Sequence, residues 1–167
     1  MDAPANQRAY ADQPSDCCSI ARTVSITGDR WMLLILRDLS NGLRRFDELI
    51  THLKIARDVL TRRLATLVAD DMVERRPYQQ AGQRPREEYR LTAKGRDFIP
   101  VLVALMHWGD QHLVGPGGPP VKLRHADCGA EVVLDLRCAA GHELTPGRAV
   151  EREFNLAALD EKQPRNA

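Results

Sequence analysis

Residues 46 to 94 constrain this chain most: two short amphipathic segments lie almost end to end, and a charged hairpin follows them. Phe46, Leu49, Ile50 and Leu53 recur at i, i+3, i+4 and i+7, which predicts a helix with one apolar face. Asp47 and Glu48 fall in its first turn, where the helix dipole favours acids. Past Lys54 and Ile55 a second helical period begins, with Leu60, Leu64, Leu67 and Val68 inward and Arg57, Asp58, Thr61 and Arg62 outward. Two helices this close, the second presenting hydrogen-bonding side chains to solvent, have the geometry of a helix-turn-helix.

Next, Met72 to Arg76 alternates as a strand and Glu87 to Leu91 reads as its partner. Between them, Ala81-Gly82-Gln83-Arg84-Pro85-Arg86 is rich in turn formers and carries two arginines at the tip. A hairpin holding Arg84 and Arg86 beside the second helix is a wing, suited to the phosphate backbone or an adjacent minor groove. Thr92 is placed to cap another helix.

Charge supports the same assignment. The whole chain carries a formal charge of only +1, but residues 40 to 96 hold 13 basic and eight acidic side chains, which leaves that segment near +5 and the remainder near −4. Basic charge, including Arg44 and Arg45 ahead of the first of these helices, gathers where phosphates would be neutralised. The candidate DNA-binding set is Arg44, Arg45, Arg57, Asp58, Thr61, Arg62, Arg84 and Arg86.

Upstream, Ile20, Ala21 and Val24 predict a first helix, and Asp29 caps a second from Arg30 to Leu39 that is apolar nearly all round and belongs at the centre of the core. Trp31 reads as a core residue ahead of an effector-stacking one. After Thr92, a stripe of Phe98, Leu102, Leu105, Met106, Gly109 and Leu113, with Ile99, Val103 and Trp108 off it, predicts a helix kinked at Pro100. His107 and His112 are expected on its polar side. Such a helix is more apolar than a single small domain can bury, which predicts a two-fold dimer.

Cys18-Ser19-Ile20-Ala21-Arg22, Gly28-Asp29-Arg30-Trp31, Leu34 to Leu39, Arg44 to Leu49, Leu60-Thr61-Arg62-Arg63-Leu64, Met72 to Arg75 and Tyr89-Arg90-Leu91-Thr92 occur in fixed order. Together they resemble the HxlR-type winged helix-turn-helix transcriptional regulators, relatives of the MarR group, over about residues 18 to 113. The resemblance implies a mainly α fold with a small β wing, a C-terminal dimerisation helix, and a homodimeric bacterial regulator binding a pseudo-palindromic double-stranded DNA operator. It also implies a cytoplasmic, nucleoid-associated protein. Ala56 departs from the Ser or Thr usual at the start of the recognition helix and offers no side-chain acceptor to the first amides.

Cys18 matches a cysteine common in that family, which in some members senses oxidants or electrophiles. A thiol in the first turn of a helix gains thiolate character. Against a redox role, cytosolic cysteines are usually reduced, and the next cysteine after Cys18 is Cys128. Alternatively, the adjacent Cys17 and Cys18 could bridge two subunits. Control by an oxidant or a small-molecule effector therefore stays open.

Gly115-Pro116-Gly117-Gly118-Pro119-Pro120 ends the helical pattern, and a small β-rich appendage is expected over residues 121 to 156. In it His125, Cys128, Cys138 and His142 have spacings of two, nine and three intervening residues. His125-x2-Cys128-Gly129 resembles a zinc-ribbon knuckle, and Val132-Val133-Leu134 with Leu136 would form a hairpin between the pairs. Two readings remain: one structural zinc on these four ligands, or a metal-free flap decorated by two cysteines and two histidines. The expected organisation is thus a mobile arm (1–16), the winged domain with its dimerisation helix (17–114), the appendage and a tail (157–167).

The N-terminus lacks a basic start followed by an apolar run, and the longest apolar run, Trp31 to Leu36, is far too short to span a membrane. No nucleophile and base pattern and no phosphate-cradling glycine loop with a following Lys-Ser/Thr is present, so no enzyme is expected. The competing class is a winged-helix protein-interaction module that does not touch DNA.

Overall fold

The computed structural model describes residues 18–79, 82, 84–144 and 150. The expected mobile arm, Cys17 and the tail lie outside the described residues. The chain divides into two compact units, Thr23–Leu134 and Met1–Arg22 with Asp135–Ala167.

Among the described residues four helices come first: α1 (Ser19–Thr27), α2 (Arg30–Ser40), α3 (Phe46–Leu53) and α4 (Arg57–Ala69). Strands β1 (Val73–Tyr78) and β2 (Arg86–Leu91) pair antiparallel, with Val73 opposite Leu91 and Tyr78 opposite Arg86. Pro77 is tolerated because this two-stranded ribbon has no interior strand. Helices α5 (Ala93–Asp97) and α6 (Ile99–His112) follow. No helix among the described residues is long and apolar enough to cross a membrane.

Helix α2 is the centre, as its all-round apolar pattern predicts. Asp29 caps it by accepting from the Trp31 amide at 2.8 Å, and Met32, Ile35, Leu36 and Leu39 are buried. Leu49 of α3, Leu60, Leu64 and Leu67 of α4, Val73, Leu91 and Phe98 close around them. Each such side chain contributes about 1.5–3 kcal/mol by leaving water. Trp31 packs against this core with the Arg30 guanidinium 4.2 Å above its ring. Two polar residues are buried with the apolar ones, Thr27 and Asp38; the Asp38 carboxylate accepts from Arg37 Nε and Nη2 and lies 2.6 Å from His52 Nδ1, tying α2 to the end of α3.

The segment after the wing is held by its own sequence. Thr92 Oγ1 accepts the Gly95 amide and donates to the Asp71 carbonyl, while Lys94 Nζ donates to the Asp70 carbonyl at the end of α4. Gly95 lies so close to this strand entry that a Cβ there would come within 2.1 Å of the Met72 carbonyl oxygen.

Two expectations for the following helix need correction. Instead of one helix kinked at Pro100, α5 ends at Phe98 and α6 starts afresh with Pro100 in its first turn, where the missing N–H costs nothing. The predicted stripe is also split: Phe98 is buried and Ile99 and Leu102 pack on the core, whereas Leu105 is 49% and Leu113 73% exposed. Val101, Leu105 and Trp108, at i, i+4 and i+7, form the outward apolar line, and His112 lies against the Trp108 ring rather than on a polar side.

No strand pair forms from Val132 to Leu136 among the described residues. Instead, isolated bridges join Arg124 to Glu131 in the larger unit and Arg137 to Glu143 in the other. Pairing follows the glycine turns at Gly129 (φ +70°) and Gly141 (φ +85°), which fold each short segment back on itself and leave Val133 exposed.

Candidate nucleic-acid interface

The turn between α3 and α4 is made by Lys54 in the left-handed conformation (φ 51°), its amide donating to the Ile50 carbonyl, and by Ile55, which is buried. With Ile55 anchored, α4 leaves the turn with Leu60, Leu64 and Leu67 on the core, so its opposite side faces solvent. Arg57, Asp58, Thr61 and Arg62 are all exposed there, as the periodicity predicts. Ala56 makes no side-chain cap, so the first amides of α4 keep their donors for another acceptor. The Thr61 hydroxyl donates to the Arg57 carbonyl, which fixes its rotamer and leaves the oxygen free to accept.

The wing approaches this side through a contact that strand patterns do not announce. The Tyr89 amide donates to the Arg44 carbonyl at 2.8 Å, and Arg45 bridges to Glu88, so the segment ahead of α3 runs along β2. Glu48 closes the start of α3 by accepting the amides of Arg44 and Arg45. Arg45 is thereby set with its guanidinium 4.8 Å from the centre of the Tyr78 ring. Arg45, Arg57 and Arg86, together with Phe46, Tyr78 and the acids Asp47, Glu48 and Glu87, line a cleft of about 420 Å³ between the helix starts and the wing.

Two features here are missing from the sequence reading. Asp47 accepts from both Nη1 and Nη2 of Arg57 at 3.3 Å, and the same guanidinium sits 5.1 Å from the Phe46 ring centre. The partners belong to different helices ten residues apart, so no single-helix spacing links them. The pairing of Arg62 with Asp58 at 3.0 Å, by contrast, is an i, i+4 pair that the spacing does announce.

Cys18 is brought to the start of α1, where the Arg22 amide donates to its carbonyl. The amides of Ala21 and then Ile20 hydrogen-bond its sulfur and hold the thiol below its ordinary pKa; Arg22 adds to this and burial opposes it. His125 and Cys128 come together in the larger unit, the Cys128 amide 3.4 Å from His125 Nδ1. Cys138 and His142 come together in the other, Sγ 3.5 Å from Nδ1. Among the described residues no group of three or more His, Cys, Asp or Glu side chains is assembled that could hold a metal ion.

A helix face with two outward arginines and a wing meet at this cleft of mixed charge, and comparison with known proteins identifies the family. Residues 26–115 match the family described as HxlR-like helix-turn-helix. The chain belongs to the HxlR-like helix-turn-helix family. The uncharacterized HTH-type transcriptional regulator Rv3095 of Mycobacterium tuberculosis is 44% identical over 128 residues, 76% of this chain and 80% of that protein. Among solved structures, PA1607, a candidate transcription factor, superposes with a TM-score of 0.73 at 35% identity over 86% of this chain and 99% of its own. The redox regulator HypR in its oxidized form superposes with a TM-score of 0.52 at 29% identity, over 59% of this chain and 100% of its own. The winged helix-turn-helix fold of this HxlR-like chain is thus shared with regulators.

Proposed function

We propose that this HxlR-like chain is a homodimeric transcriptional regulator of the bacterial cytoplasm that binds a double-stranded operator, with α4 in the major groove and the wing on the backbone. The observation that carries the reading is the solvent side of α4: Arg57, Thr61 and Arg62 are exposed together beside a wing whose Arg84 and Arg86 make no ion pair among the described residues. Side chains with guanidinium and hydroxyl groups match the acceptors of the major groove, and unpaired arginines match phosphates. A protein-interaction module would have no need for that division of labour.

Dimerisation rests on α6. Val101, Leu105 and Trp108 expose an apolar line on a helix that has no fully buried residue. A second copy bringing the same line across a two-fold axis would cover both. Two recognition helices would then address two half-sites, as a pseudo-palindrome requires.

Control by an oxidant acting at Cys18 is a further part of the reading. Its support is the lowered thiol pKa and the likeness to a solved redox regulator. Binding of the purified protein to DNA upstream of its own gene, followed by footprinting over a range of salt, tests the proposal. Protection of a symmetric site, with affinity falling steeply as salt rises, is expected. Absence of salt-dependent binding to any duplex would favour the interaction module.

A further inference from the structure

The arginines of the DNA-facing surface fall into three kinds, of which Arg45, set over the Tyr78 ring and 3.9 Å from Glu48, is one by itself. Arg44, Arg84 and Arg86 make no ion pair among the described residues. Arg57 and Arg62, the two on the outward side of α4, are each held by an aspartate: Arg57 by Asp47 of α3, and Arg62 by Asp58 one helical turn before it. All four of these side chains are roughly 70% exposed. Pairs so exposed add little to stability. Each aspartate lies in the first turn of its helix, where the dipole favours an acid, but that placement needs no arginine partner and does not account for the two pairs.

A carboxylate facing a polyanion costs affinity, because it repels phosphate and cancels the charge that releases counterions. It also removes rotational freedom from the arginine. Asp58 accepts from Arg62 Nη2 through its carboxylate, and its carbonyl oxygen lies 3.4 Å from Arg62 Nε. That leaves Nη1 and the second Nη2 hydrogen, an adjacent donor pair of the kind that guanine O6 and N7 accept together. Asp47 takes one hydrogen from each Nη of Arg57 on the edge between them, which leaves the Nε and outer Nη2 hydrogens as the adjacent donor pair of that arginine, while Phe46 flanks the guanidinium.

We propose that Asp47 and Asp58 are specificity-positioning residues, which clamp the two recognition arginines for guanine and penalise their use on phosphate. The proposal rests on the assignment of α4 to the major groove. Arg44, Arg84 and Arg86 supply the sequence-independent grip, whereas the clamped pair reads bases.

The test is selection of bound duplexes from a randomised pool by the full-length wild type, Asp58→Asn, Asp47→Asn and Asp58→Glu, followed by titration of each protein against the wild-type motif and a scrambled duplex of the same composition. For the two Asn variants, the ratio of motif to scrambled affinity should fall about tenfold, the loss of one bidentate guanine contact. Binding to the scrambled duplex should become tighter, with a salt slope steeper by up to about one unit. Guanine preference should weaken in the motif each Asn variant selects, while Asp58→Glu, which can still reach Arg62, should keep the wild-type motif. Asn variants that retain the wild-type motif and ratio, or that lose affinity for both duplexes equally, would overturn the clamp while leaving the major-groove assignment standing. A wild type that enriches no motif would overturn the operator reading and the clamp with it.

Discussion

At the scale of single residues, Gly95 and Cys18 make the sharpest demands. Gly95 has no sequence signature of its own, because the reason for it is a backbone from another part of the chain. A Cβ at 2.1 Å from the Met72 carbonyl oxygen cannot be relieved by turning a side chain. Overpacking that forces side chains off their rotamers and shifts backbone costs about 1–3 kcal/mol and occasionally more, and a backbone oxygen this close puts the site at the upper end. Gly95→Ala should therefore lower the unfolding free energy by about 3 kcal/mol or more in denaturant titration, and a wild-type midpoint would show that this contact is not as close as described. Cys18 lies where a first-helix reading puts it, and the amides of Ala21 and Ile20 give that position its chemistry. Since the folded thiol titrates below its unfolded value, its alkylation should outpace that of the unfolded chain at mildly acidic and neutral pH. That advantage should vanish as pH rises past the ordinary thiol range. Iodoacetamide labelling of protein in which Cys17, Cys128 and Cys138 are all replaced by Ser, folded and in denaturant, measures this; identical pH profiles in the two states would contradict it.

At the scale of elements, local period and capping chemistry made most of the fold legible. Helix α2 with its Asp29 cap, α3, α4 and the wing strands lie where spacing alone puts them, because each owes its place to a face that must be buried. Helix α6 was harder to read, since nearly every side of it is apolar and periodicity cannot say which side meets the core. Packing decides: Ile99 and Leu102 go inward, and Val101, Leu105 and Trp108 remain outside. This choice also selects the useful mutation. Leu102→Glu would place a charge against the core of its own chain, whereas Leu105→Glu changes only the outward line. Leu105→Glu should leave the helical circular dichroism unchanged while converting a dimer to a monomer in analytical ultracentrifugation. A wild type that is monomeric at micromolar concentration, or a variant that remains dimeric, would exclude this line as the two-fold contact.

At the scale of the whole molecule, the candidate surface was legible as a list of residues but not as an arrangement. Charge segregation and helix spacing pick out Arg44, Arg45, Arg57, Asp58, Thr61, Arg62, Arg84 and Arg86. Neither could show that the segment before α3 runs along β2, or that Asp47 reaches across the turn to Arg57, because both depend on chain segments distant in sequence meeting in space. With α4 reading bases and the wing gripping phosphate, the two should fail differently. Affinity of Arg62→Ala and Arg84→Ala for the footprinted site and for a scrambled duplex, measured across salt concentrations, tests that division most directly. Arg62→Ala should lose about 1–3 kcal/mol on the site and little on the scrambled duplex. Arg84→Ala should weaken both alike and flatten the salt slope by about one unit. Wild-type binding by both variants, or equal losses on the two duplexes for Arg62→Ala, would contradict it.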